Sequence, residues 1–128
     1  MSDHKDAQFL LKLAAKDLKA LKGMKDQEIF ADEIFGFHAQ QVVEKTLKGW
    51  IASLGAAYPF THNIARLLAI LEDQGVNVDN LWDLAEYTAF AVEFRYGSLI
   101  ETEELLDRPG ILSRVQGLYD HVANIIEI

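Results

Sequence analysis

The stretch from Phe35 to Leu54 constrains this chain more than any other, because its apolar residues recur at the helical period and not at the strand period. At about 100° per residue, Phe35, Val43, Leu47, Trp50 and Leu54 gather on one side of a helix. His38, Gln41, Lys45 and Lys48 gather on the opposite side, at a spacing that lets side chains act together. One reading of that polar ladder is a solvated face. The other is a surface that faces an anion or a partner. Periodicity alone leaves both open.

The remaining segments repeat the same period, so the expected fold is all-α: an up-and-down bundle of about five helices with a four-helix core in a single domain, residues 1–128. A first helix is expected over Asp3–Lys22, with Ala7, Leu10, Leu11, Ala14, Leu18 and Leu21 inward and Gly23 as its C-cap. The second spans Phe30–Leu54 and stops at Gly55. Thr61 is the expected N-cap of a third, His62–Gln74, which buries Ile64, Leu67, Leu68 and Leu71 and ends at Gly75. A fourth is expected over Asn80–Tyr96, apolar on two sides, a pattern that suits burial against a second subunit. Pro109 fits the first turn of the fifth, whose seam is Ile111, Val115, Leu118, Val122 and Ile125.

Composition narrows the chemistry. With no cysteine, thiolate chemistry, disulfides and cysteine-based zinc sites are excluded, and a cytoplasmic protein is the natural expectation. No apolar run approaches the ~20 residues of a membrane span, and the amino end lacks the basic and apolar regions of a signal peptide. A net charge of -8 argues against unaided, non-specific nucleic-acid binding, although it leaves room for a local basic pocket. Phosphate-binding loops, His-Glu-x-x-His and Gly-x-Ser-x-Gly are all missing, and no cofactor is implied. The acidic run Glu101, Glu103, Glu104, Asp107 reads as a solvated loop, not a metal shell.

Arg95 extends the stripe Leu81, Leu84, Thr88, Val92. A guanidinium at the edge of a core needs a partner, either a carboxylate of the chain or a phosphate or carboxylate ligand.

The run Phe37-His-Ala-Gln-Gln-Val-Val-Glu-Lys-Thr-Leu-Lys48 resembles the signature helix of HEPN domains. Thr61-His-Asn-Ile-Ala-Arg-Leu-Leu68 resembles the Thr-His opening of the next helix in that family. Phe94-Arg-Tyr-Gly97 resembles its Arg-Tyr-Pro, with glycine in place of proline, and the terminal helix is similar in position and pattern. The resemblance is strongest to stand-alone HEPN proteins that accompany a minimal nucleotidyltransferase. It implies a dimeric, nucleotide-binding accessory protein, not catalytic by itself, often part of a toxin–antitoxin pair. Arg95 would then clamp phosphate, Lys45 and Lys48 would add charge, His38 and His62 would donate hydrogen bonds or stack near a base, and Tyr96 would stack on a base. The family also contains metal-independent ribonucleases with an Arg-x(4–6)-His motif. Arg114-Val-Gln-Gly-Leu-Tyr-Asp-His121 fits that spacing, whereas no histidine follows Arg95 at such a distance. A non-catalytic dimeric interaction module is the third reading.

Overall fold

The computed structural model describes residues 2–95 and 106–127, with the side chains of 3–91 and 106–127. Among these residues there is no strand. The helices are α1 (Ser2–Lys22), α2 (Asp32–Ser53), α3 (Ile64–Asp73), α4 (Thr88–Arg95) and α5 (Arg108–Ile126), with a 3-10 segment, Trp82–Tyr87, leading into α4. The fold is the all-α bundle that the periodicity predicts.

Helix α2 is its axis: α1, α3, α4 and α5 all lie against it. It is therefore buried almost all round, and Gln40, Gln41, Glu44, Thr46 and Lys48 are covered along with Phe35, Val43, Leu47 and Trp50. The solvated-face reading of its polar side is thereby corrected for Gln41 and Lys48, while His38 and Lys45 stay partly exposed. Two glycines permit the close packing. A methyl at Gly49 would run into Leu11 of α1, and one at Gly36 would sit 2.8 Å from the ring of Phe90 in α4. Glycine inside a helix costs about 1 kcal/mol against alanine, which these approaches offset by bringing the helices together. The approach of Gly49 to Ala7 and Leu11, together with that of Lys45 to Asp17, makes α1 antiparallel to α2.

The expected stripes of α1 and α3 are buried in full. Their boundaries differ in detail. Gly23 does not take a positive φ, and α1 closes through Gly23 N–H and Met24 N–H bonds to Ala20 and Leu21; among the described residues left-handed backbone is found at Gly55 (φ 77), Gly75 (φ 87) and Glu127 (φ 62). Helix α3 starts at Ile64, not His62. Its N-cap is Asn63, whose Oδ1 accepts from Arg66 N–H, while Thr61 Oγ1 accepts from Asn63 N–H in the turn before it.

The single fourth helix expected over Asn80–Tyr96 is instead a 3-10 segment followed by α4. Leu81, Leu84 and Tyr87 recur every third residue, which lines them up on a 3-10 turn and lets Leu81 and Leu84 enter the core. Leu81 and Leu84 thus belong to the 3-10 segment and Thr88 opens α4, while the side chains of Val92 and Arg95, the rest of the expected stripe, lie outside the described residues.

Asp107 caps α5 by accepting from Gly110 N–H, and Pro109 occupies the first turn as expected. The seam then runs through Val115, Leu118 and Val122 to Ala123 and Ile126, leaving Ile125 46 % exposed. No described helix is long and apolar enough to cross a membrane.

Candidate functional site

Two carboxylates that the sequence reading passed over organise the polar edge of α2. Asp17 projects from α1 and takes two partners two turns apart on α2: Lys45 Nζ at 2.5 Å and His38 Nδ1 at 3.0 Å. Glu44 lies deeper, its side chain 6 % exposed. It accepts from Gln40 Nε2 at 2.9 Å, Lys48 Nζ at 2.9 Å and His62 Nδ1 at 2.7 Å. Gln40 Nε2 also reaches His62 C=O, and Gln41 Nε2 donates to Gln40 Oε1 at 2.7 Å. The network thus joins α1, α2 and the turn that opens α3.

Its electrostatics follow from the donors. Burial alone would raise the Glu44 carboxyl, but hydrogen bonds from Gln40, Lys48 and His62 outweigh it and hold the group below its ordinary value. Asp17 behaves alike: burial opposes its charge, and His38 and Lys45 more than compensate. Both carboxylates are anionic at neutral pH. The loop after α2 closes over the same edge. Tyr58 places its ring 5.9 Å from Lys48 Nζ and donates its hydroxyl to Asp6 Oδ2 at 3.1 Å. Burial, then the bond to Asp6, raises the Tyr58 hydroxyl. Thr88, at the start of α4, accepts from Ile64 N–H at 3.0 Å, which ties α4 to the first turn of α3 beside His62.

Of the residues picked from sequence, His38, Lys45, Lys48 and His62 therefore lie along one edge of α2, each bound to Asp17 or Glu44. The backbone of Arg95 closes α4, and its side chain lies outside the described residues, as does Tyr96. The acidic run Glu101–Glu104 lies outside them too. Among the described residues no group of three or more His, Cys, Asp or Glu could hold a metal ion.

Arg114 and His121 stand elsewhere. Both line a cleft of about 250 Å³ with Trp50, Asn77 and Asn80. Arg114 is held by Asp83 through Nε at 3.1 Å and Nη2 at 2.8 Å, and Nη2 also donates to Asn80 C=O. That pairing raises the guanidinium and lowers the Asp83 carboxyl. The ring of His121 meets Trp50 edge to face, with centroids 5.5 Å apart.

Sequence reasoning also missed Arg108, which is buried at the start of α5 and paired with Asp32 at 2.8 Å. The signal was present: Arg108, Leu112 and Val115 stand at i, i+4 and i+7, so the α5 stripe extends back to the arginine.

Fold and site together define a class, a helical bundle whose central helix carries a partly buried network of acids and bases. The HEPN domain family model matches residues 7–125, nearly the whole chain, and the chain belongs to that family. No curated protein and no solved structure matches it.

Proposed function

We propose that this chain is a nucleotide-binding accessory protein of the HEPN family, working in the cytoplasm as a homodimer beside a small nucleotidyltransferase in a toxin–antitoxin pair. The observation that carries this reading is the fixed row of basic groups, His38, Lys45, Lys48 and His62, held in place along one edge of α2 by Asp17 and Glu44. Pre-placed donors lower the ordering cost of binding an anion. Thr88 adds support, because it ties the start of α4 to this edge and position 95 lies on the same face of α4, two turns on. Arg95 then supplies the planar fork that phosphate favours, while the carboxylates hold the lysines in fixed positions.

Calorimetric titration with ATP and GTP tests the proposal. Micromolar binding is expected, weakened about tenfold or more in Arg95→Ala, the loss of one charge-assisted contact. Binding that survives unchanged in Arg95→Ala, or no binding even with the nucleotidyltransferase present, overturns it.

A second reading has its own observation: Arg114 and His121 line one cleft. A ribonuclease there would use arginine to stabilise phosphate charge and histidine as acid or base. It requires Arg114 to leave Asp83. RNA cleavage by the purified chain that disappears in His121→Ala would establish it, and cleavage that persists would remove it.

A further inference from the structure

Arg108 is 5 % exposed, yet its hydrogen bonding is incomplete. Nη1 donates to Met24 C=O at 2.9 Å, Nη2 donates to Phe30 C=O at 2.6 Å and to Asp32 Oδ1 at 2.8 Å, and the guanidinium carbon lies 4.9 Å from the centre of the Phe35 ring. The buried Nε–H has no acceptor among the described residues. Two turns along α5, Gln116 gives its Nε2 to Asp120 Oδ1 at 2.8 Å, and its buried Oε1 has no donor among the described residues. Both residues line one pocket of about 540 Å³ between the end of α1 and the start of α5. Met24, Phe35 and Leu112 give it apolar walls, and Lys22 and Lys25 stand exposed at its rim.

Buried polar groups without partners are uncommon in proteins because each is costly. Here two of them belong to residues that line the same apolar cavity, just beneath its surface, and they are complementary: one donor, one acceptor. The volume falls in the range of small-molecule sites, with the usual make-up of apolar walls and a few polar groups. Asp32 already balances the guanidinium charge, so a neutral acceptor suits Nε better than a carboxylate.

We infer that this pocket binds a small, largely apolar molecule carrying a carbonyl oxygen beside an N–H, as along an amide or lactam edge. The carbonyl accepts from Arg108 Nε–H and the N–H donates to Gln116 Oε1. Both protein atoms are covered by their neighbours, so entry involves adjustment of the lining, which the unbranched Met24 side chain favours. The inference is independent of the nucleotide reading, since none of these residues belongs to the α2 polar edge or to the Trp50 cleft.

The test is an amide NMR titration of the full chain with benzamide and, in parallel, with acetophenone, which keeps the ring and carbonyl but lacks the N–H. Benzamide is expected to shift Met24, Leu112 and Ser113 and leave Lys45 and His62 unmoved, and acetophenone to bind about five- to tenfold more weakly, the loss of one hydrogen bond. In Gln116→Leu, benzamide should fall to the affinity of acetophenone. No shifts with benzamide, shifts centred elsewhere, or equal binding of the two probes by the unaltered chain overturns the inference. The two-probe comparison needs no variant, so it stands whether or not Gln116→Leu folds.

Discussion

The Glu44 carboxylate and the His62 imidazole meet at 2.7 Å across the junction of α2 and the turn before α3. Glu44 is anionic because its donors outweigh its burial, and Asp17 repeats the arrangement on α1. Both folded-state pKa values are depressed. The stability these groups contribute is thus present above their ordinary values of 4.5 and 3.8, and is lost as pH falls through the folded values. Urea unfolding followed from pH 7 downward should show wild-type stability dropping below about pH 4. Glu44→Gln should lower stability at pH 7 by about 2–4 kcal/mol, because it leaves Lys48 buried beside a neutral group. Its stability should then depend less on acid. An equally steep acid dependence in the variant would mean that Glu44 is not the group responsible.

Phe90 lies over Gly36, where an added methyl would approach the ring to 2.8 Å. Gly36→Ala should therefore destabilise the fold by about 1–3 kcal/mol despite the better helix propensity of alanine. Gly117 is the control. It sits inside α5 with nothing within 4 Å of an added methyl, so Gly117→Ala should stabilise by about 0.5–1 kcal/mol. Thermal melts of the two variants should move in opposite directions.

Two arginine–aspartate pairs at the same 2.8 Å should differ in worth. Arg114 and Asp83 are 33 % and 58 % exposed, so a double-mutant cycle should give a coupling of about 1 kcal/mol or less that shrinks with added salt. Arg108 is buried and carries two backbone carbonyls besides Asp32. Arg108→Ala should cost about 3–5 kcal/mol, with little change in salt. Comparable losses from the two arginines in chemical denaturation would contradict this assignment of burial.

The stripes of α1 and α3 were legible because a leucine on an amphipathic helix has one place to go. The middle of α2 was less so. A helical period identifies two faces but does not say how many neighbours will cover them, and here enough helices pack on α2 that Gln41 and Lys48 become interior. Lys45 and His38 were visible as basic residues, but Asp17, which fixes them, lies on another helix and is paired through tertiary contact alone. The 3-10 segment was hidden for a different reason: Leu81, Leu84 and Thr88 satisfy a 3.6 period as readily as Leu81, Leu84 and Tyr87 satisfy a period of three. Arg108 was within reach, since it shares a stripe with Leu112 and Val115, but a charged residue directly after an acidic run gives no local sign of burial.

The enclosure of α2 on nearly every side limits how the chain can change in length. One residue inserted into that helix would rotate everything beyond it by about 100° and shift it 1.5 Å, mispairing Glu44 with His62 and Gly49 with Leu11 in a single step. Insertions and deletions should thus be confined to the segments on either side, residues 23–31 and 54–63, where the backbone can absorb them. The register of α2 is the ruler against which the other helices are measured.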